Sequence, residues 1–143
     1  MKKSGLDVLA FDGTANIANL TEGLVSYRDL STALTEKPRD WVVSLEVGEH
    51  IKKEFEDTFL SNVALHAERG VILSWAVPGQ GGSGHVNEQS NEHIRDKMHS
   101  LGFTALEELT ADLRATAELS WLKQTLMAFA KDAASSASES TNQ

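Results

Sequence analysis

Short apolar runs alternate with amphipathic stretches along most of the chain. Continuous runs rich in β-branched residues, such as residues 71–77, are typical of buried strands. Apolar residues that recur every three or four positions, as over residues 52–69, are typical of a helix that packs one face on a sheet. The pattern predicts a strand beginning at Trp41, further strands over residues 6–11, 24–27, 71–77, 103–106 and 125–130, and helices over residues 16–22, 52–69, 91–101 and 109–122, the second ended by Gly70.

This alternation predicts an α/β fold with helices on both faces of one sheet. Right-handed crossovers restrict such a chain to a doubly wound sandwich, and ligands then bind beyond the carboxyl ends of the strands. Residues 40–51 match that position, because the apolar run from Trp41 passes directly into Glu46, Glu49 and His50. We therefore expect the functional chemistry in this segment, although the architecture alone specifies no reaction.

Composition sets modest bounds on function. The 143 residues suffice for one domain, predicted over residues 1–131, and the Ser- and Ala-rich tail 132–143 is predicted to be disordered. The net charge of −8 argues against binding to a nucleic-acid backbone. The chain has no cysteine, and it has no run of the roughly 20 apolar residues that cross a bilayer. A cytoplasmic protein without a membrane segment is expected.

Acidic residues follow two of the predicted strands. Asp12, with Gly13 after it, is well placed to accept hydrogen bonds from a ribose diol in a nucleotide-binding fold. The alternative is that Asp12 caps the helix that follows. Asp29 lies at the same end of the sheet if the two strands are parallel.

The segment Glu-Val-Gly-Glu-His combines two carboxylates and an imidazole. On a helical turn, residues three and four apart share a face, so Glu46, Glu49 and His50 can point into one space. Carboxylates favour Mg²⁺ or Mn²⁺, and the imidazole admits Zn²⁺. The alternative is that Glu49 and His50 begin the next helix and are solvated.

A glycine-rich loop follows the strand predicted over residues 71–77. Residues 79–84 match the dinucleotide pattern G-x-G-x-x-G, but Pro78 and residues 85–87 lengthen the connection, so Gly84 does not open the helix. A flexible loop at the rim of an active site is the favoured interpretation. His85 is a candidate general base in it, and a solvated histidine is the alternative.

Several segments together resemble successive parts of a class I S-adenosylmethionine-dependent methyltransferase. They are Phe-Asp-Gly-Thr (11–14), Arg-Asp-Leu-Ser (28–31), and residues 40–51, 74–87 and 121–129, so that the likeness covers residues 6–131. It is strongest in Ser-Leu-Glu-Val-Gly-Glu-His-Ile (44–51) and in the loop 79–87. The Glu-Val-x-Glu-His pattern is also similar to that of ubiquinone-pathway O-methyltransferases, in which its acids and histidine hold a divalent cation.

The resemblance implies a Rossmann-like fold that binds S-adenosylmethionine and methylates a small molecule. The sulfonium methyl would pass to an oxygen, nitrogen or carbon nucleophile, mostly through positioning. The implied residues are Asp12 and Gly13 at the ribose, Asp29 and Leu30 at the adenine, Ser44, Leu45 and Glu46 at the methionine end, Glu46, Glu49 and His50 as ligands of Mg²⁺ or Zn²⁺, and His85 and Glu49 as catalytic groups at the acceptor.

One departure from the family concerns the segment before Asp12. In the family a first strand, a glycine-rich turn and a helix precede this position, whereas only residues 1–5 precede the strand here. We therefore expect a domain without its first βα unit, and with an open sheet position that favours self-association. The alternatives are a non-catalytic methyltransferase-like scaffold that self-associates or binds a partner, and a nucleotide-binding domain that uses residues 79–84.

Overall fold

The computed structural model describes residues 5–133, so residues 134–143 of the predicted tail lie outside the described part. Two short 3₁₀ turns, Gly48–His50 and Lys53–Phe55, precede the first long helix. The strands are β1 (Phe11–Asp12), β2 (Ser26–Tyr27), β3 (Arg39–Ser44), β4 (Ala67–Leu73), β5 (Phe103–Ala105) and β6 (Met127–Lys131). The helices are α1 (Ile17–Leu20), α2 (Glu56–Leu65), α3 (Asn91–Ser100), α4 (Glu107–Thr116) and α5 (Leu122–Thr125).

The strands form two separate sheets. A four-stranded sheet has the order β3-β4-β6-β5, with β3 and β4 parallel and β6 antiparallel to both of its neighbours. The parallel strands β1 and β2 form a second sheet of their own. The α/β class is confirmed, but the prediction of one sheet is wrong, because no described strand joins β1 to the edge strand β3.

The main hydrophobic core lies between the four-stranded sheet and α2 and α3. Successive side chains of a strand point to opposite faces, so alternate residues of β4 and β6 reach this core. Helix α4 packs beside β6, where Thr110 Oγ1 accepts a 3.0 Å hydrogen bond from the amide of Ala128. The buried core residues include Phe59, Leu60 and Val63 from α2, Val71 and Leu73 from β4, Ile94 and Met98 from α3, and Met127 and Phe129 from β6.

The helix predicted over residues 52–69 is shorter than its pattern indicates. The structure begins α2 at Glu56 and continues from Ala67 as strand β4, which pairs with β3. Gly70 does not end a helix; it pairs across the sheet with Trp41, and a side chain there would overlap the Trp41 ring. Pairing with β3 therefore overrides the four-residue apolar spacing that continues through Ala67.

The β1–β2 sheet is tied to α2 through the segment that follows β2. Asn62 of α2 donates to the carbonyl oxygens of Leu30 and Thr32 at 3.3 and 2.7 Å, and its Oδ1 accepts from the amide of Leu34 at 2.9 Å. Asn62 is buried, and these three hydrogen bonds satisfy its side-chain amide. They also hold residues 30–34 against α2. Strand β1 itself has only two residues, fewer than the predicted 6–11.

One face of the edge strand β3 is uncovered by the described residues. Val42 packs against the core, whereas Trp41, Val43 and the following Leu45 are 37%, 52% and 41% exposed. No described helix is both long and apolar enough to cross a membrane.

A buried carboxylate joins α2, α3 and the loop before α3. Glu56 is 1% exposed and accepts hydrogen bonds from Lys53 Nζ at 2.8 Å and Asn87 Nδ2 at 2.9 Å, with His93 Nε2 at 2.7 Å. Burial alone raises the pKa of Glu56, but the hydrogen bonds from Lys53, His93 and Asn87 outweigh it and hold the pKa below its ordinary value of 4.5. The carboxylate is thus anionic and paired in the folded chain.

Replacing Glu56 by Gln should remove a pH-dependent part of the stability. A carboxylate with a lowered folded pKa stabilises the fold above its unfolded pKa, and this stabilisation is lost as the pH falls through the folded value. At neutral pH we expect Glu56→Gln to lower the free energy of unfolding by about 1–3 kcal/mol. The difference from wild type should shrink below pH 4.5. Urea unfolding across this range measures it, with the exposed Glu92→Gln as control; a pH-independent difference would contradict the assignment.

Candidate functional site

The turn after β3 holds Glu46 in an unusual backbone conformation. Its φ angle of 53° lies in the left-handed region, which costs energy for a residue with a side chain. The carboxylate is fixed by Ser74 Oγ at 2.8 Å and Gln80 Nε2 at 2.9 Å, and the Glu46 amide donates to Ser74 Oγ at 2.8 Å. Glu46 is therefore a paired group that shapes the chain between β3 and the 3₁₀ turn.

Gly48 lets the 3₁₀ turn lie directly on a buried tryptophan. A Cβ at this position would overlap the ring of Trp75, which is fully buried. The indole Nε1 of Trp75 donates a 2.7 Å hydrogen bond to the carbonyl oxygen of Asn87. One side chain thus supports both the acidic turn and the end of the glycine-rich loop.

Backbone hydrogen bonds dock the glycine-rich loop on the acidic turn. The amides of Val86 and Asn87 donate to the carbonyl oxygen of Glu49 at 2.9 and 3.0 Å. Nδ1 of His50 lies 3.1 Å from the carbonyl oxygen of Gly84, which can only accept, so Nδ1 is the donor. Two segments more than 30 residues apart in the chain are thereby held together.

The docked loop brings Glu49, His50 and His85 into one cluster. Each offers a ligand atom within 4.8 Å of the others, and the two imidazole rings are 5.0 Å apart, edge to face. Glu49 is 0% exposed, and neither carboxylate oxygen accepts a hydrogen bond from a described residue. Burial raises the pKa of Glu49, because it disfavours the charged form. The predicted metal set and this cluster share Glu49 and His50; the third member here is His85 rather than Glu46.

His85 is oriented by an acid that the sequence interpretation did not single out. Nδ1 of His85 lies 3.1 Å from Glu88 Oε1, and Nε2 lies 4.0 Å from Glu49 Oε1. The hydrogen bond from His85 and those from the amides of Gly79 and Gly81 lower the pKa of Glu88. An ionised Glu88 only accepts, so it places the His85 proton on Nδ1 and leaves Nε2 free to face Glu49.

A cavity of about 430 Å³ opens beside this cluster. Trp121, 41% exposed, supplies an aromatic surface at its edge, and the described residues that line it are Glu46, Glu49, His50, Gln80, Gly81, His85 and Trp121. Aromatic side chains with a few polar groups are typical of small-molecule sites. The predicted catalytic residues His85 and Glu49 both line the cavity, whereas Asp12 and Asp29 do not.

The residues predicted at the nucleoside lie together at the ends of β1 and β2. Asp12 pairs with Tyr27 in parallel register, so Asp12 and Asp29 fall at the same end of their sheet, as predicted. Asp12 Oδ1 accepts from the amide of Thr14 at 2.7 Å and caps no helix. Asp29 Oδ1 accepts from Ser31 Oγ and the Ser31 amide, and these bonds lower the pKa of Asp29.

The remaining predicted cofactor residues differ in their surroundings. Gly13 sits beside the carbonyl oxygen of Arg28, 3.6 Å from where a Cβ would be. Leu30 packs against the main core. Ser44 is buried and its carbonyl oxygen accepts from the Ser74 amide at 3.0 Å, whereas Leu45 is 41% exposed.

Solved structures of methyltransferases share this arrangement of elements. Magnesium protoporphyrin IX methyltransferase of Synechocystis PCC 6803 was solved with bound S-adenosylhomocysteine (SAH). It is 17% identical, with a TM-score of 0.67 over 91% of this chain and 66% of its own. The 1,6-didemethyltoxoflavin-N1-methyltransferase of Burkholderia thailandensis is 14% identical, with a TM-score of 0.57 over 92% of this chain and 64% of its own. The chain has the class I methyltransferase fold.

This methyltransferase fold does not by itself specify the reaction. A structure described as that of a pericyclic reaction enzyme also matches, at 8% identity and a TM-score of 0.54, over 90% of this chain and 37% of its own. The chain spans less than two thirds of the length of these three structures. Neither a protein-family model nor a curated protein matches the sequence.

Proposed function

We propose that the chain binds S-adenosylmethionine and takes part in methyl transfer to a small molecule. The observation that carries the proposal is the placement of two acids at one end of the paired strands β1 and β2, in a methyltransferase fold. The matching structures include crystal structures of a methyltransferase with bound S-adenosylmethionine (SAM) or SAH. Bound S-adenosylmethionine supplies a sulfonium methyl group, and the chain supplies orientation.

The nucleoside end of the cofactor fits the residues at the tips of β1 and β2. Asp12 Oδ2 makes no hydrogen bond to a described residue and is free to accept from a ribose hydroxyl. Asp29 holds the turn that carries Leu30, because its carboxylate binds both the amide and the hydroxyl of Ser31. Asp12 is thus the direct ligand, and Asp29 shapes the surface on which the adenine lies.

The acceptor fits the cavity beside the histidine pair. Its wall combines the Trp121 ring with the imidazoles of His50 and His85, which suits a flat molecule that carries a nucleophilic oxygen. The cavity adjoins Glu46 at the end of β3, where we place the methionine end of the cofactor. Holding the two reactants in line is the catalytic contribution of these residues.

We further propose that Glu49, His50 and His85 bind a divalent cation. Both carboxylate oxygens of Glu49 are buried and accept no hydrogen bond from a described residue. Burial of a charged carboxylate is costly without a partner, and a bound metal would supply that partner. One carboxylate and two imidazoles suit Zn²⁺ better than Mg²⁺, which prefers oxygen ligands. A bound cation acts as a Lewis acid on an oxygen nucleophile. His85 and Glu49 then act at the acceptor by holding the cation.

A second candidate function is a methyltransferase-like scaffold that self-associates. It is favoured by the uncovered apolar face formed by Trp41 and Val43 of the edge strand β3 and by Leu45, which follows the strand. This candidate requires neither cofactor nor cation at the cluster. Ligand binding therefore separates the two proposals.

Asp12→Ala should weaken binding of S-adenosylmethionine and S-adenosylhomocysteine. Loss of a hydrogen bond to a charged group predicts an affinity about 10-fold to 100-fold lower by calorimetry. Asp40→Ala is the matched control, because Asp40 lies near the amino end of β3, away from the proposed site. Silence of the wild-type chain toward both ligands would contradict the cofactor proposal and favour the scaffold. Equal weakening in both variants would contradict the role of Asp12.

Cation binding should depend on Glu49 but not on Glu46. We expect Zn²⁺ to bind the wild-type chain at least about 10-fold more tightly than Mg²⁺. Glu49→Gln and His50→Ala should each weaken Zn²⁺ binding, measured by calorimetry or by competition with a chromogenic chelator. Glu46→Gln is the control, since Ser74 and Gln80 already hold that carboxylate. Unchanged Zn²⁺ affinity in Glu49→Gln would remove Glu49 from the ligand set.

A further inference from the structure

The two histidines of the cluster are each held through the same ring nitrogen, Nδ1. His50 Nδ1 is held by the carbonyl oxygen of Gly84, and His85 Nδ1 is held by Glu88, each at 3.1 Å. A histidine that binds a metal commonly donates its other ring N–H to a carbonyl or carboxylate, which fixes the tautomer. In both rings this leaves Nε2 free to bind a cation. The Nδ1 partner of His85 is the side chain of Glu88, which a mutation can remove.

Glu88 also fixes the loop that carries His85. Its two oxygens accept from the amide of Gly79 at 2.7 Å and from that of Gly81 at 2.8 Å. Both glycines have left-handed backbone angles, with φ of 87° and 70°, so the loop wraps tightly around this carboxylate. A Cβ at Gly82 would overlap the His85 ring, which therefore lies against the backbone of its own loop.

We propose that Glu88 is a positioning residue, which holds His85 through Nδ1 so that Nε2 faces Glu49 and completes the cation site. This inference rests on the proposed cation site and adds to it a residue that touches neither cation nor acceptor. Because Glu88 binds both the loop amides and His85, the conformation of the glycine-rich loop and the orientation of His85 depend on the same side chain. Removal of Glu88 leaves both ring nitrogens of His85 without a fixed partner, so the imidazole no longer has one preferred tautomer and direction.

The test combines Zn²⁺ affinity with the tautomer of His85. Zn²⁺ titration of the full chain should show an affinity about 10-fold to 100-fold lower in Glu88→Ala than in wild type. Glu88→Gln should fall between them, because its one carbonyl oxygen still accepts a hydrogen bond. Gln80→Ala is the matched control: it cuts the tie from the loop to Glu46 without touching His85, and should change the affinity far less.

Nitrogen NMR of the cation-free chain provides the independent readout. We expect the wild-type His85 signals to show the tautomer protonated at Nδ1, and Glu88→Ala to show a mixture. Affinity within about two-fold of wild type in Glu88→Ala, or an unchanged tautomer, would overturn the inference. If wild type binds no Zn²⁺, the cation proposal fails; the tautomer then still decides whether Glu88 positions His85.

Discussion

The site depends on the docking of the glycine-rich loop on the carbonyl oxygen of Glu49. Two consecutive amides, those of Val86 and Asn87, converge on this one acceptor. Trp75 supports the contact from below, because its indole binds the Asn87 carbonyl while its ring packs under Gly48. The buried Glu56 holds the side chain of Asn87 and so links the contact to α2 and α3. Without this docking, His85 would not face Glu49.

Docking also explains the unusual electrostatics of the cluster. It covers the carboxylate of Glu49 completely while supplying no donor to its oxygens. A buried carboxylate without a partner is costly. Glu49 is therefore a group that a bound cation or a methyl acceptor would stabilise. Glu46 next to it is fully paired and shapes the turn. The two acids of one short motif therefore have different tasks, which their hydrogen-bond partners determine.

Local spacing in the sequence was enough to find part of this site. Glu49 and His50 share a turn after a strand, and the structure keeps them together. The approach of His85 could not be derived in this way, because it depends on loop contacts that form only in the folded chain. The pattern also places the end of α2 too late, at Gly70, for a similar reason. Gly70 leaves room for the Trp41 ring of the neighbouring strand, and a local pattern does not show that contact. The order of strands likewise depends on tertiary contacts, so a local pattern does not predict the division into two sheets.

Amide hydrogen exchange of the ligand-free chain tests the docked loop most directly. The account predicts that the amides of Val86 and Asn87 exchange much more slowly than that of Ser83 in the same loop, because both are bound to the Glu49 carbonyl. Exchange at Val86 and Asn87 as fast as at Ser83 would contradict it, since the loop would then be undocked and the cluster of Glu49, His50 and His85 would not exist in solution.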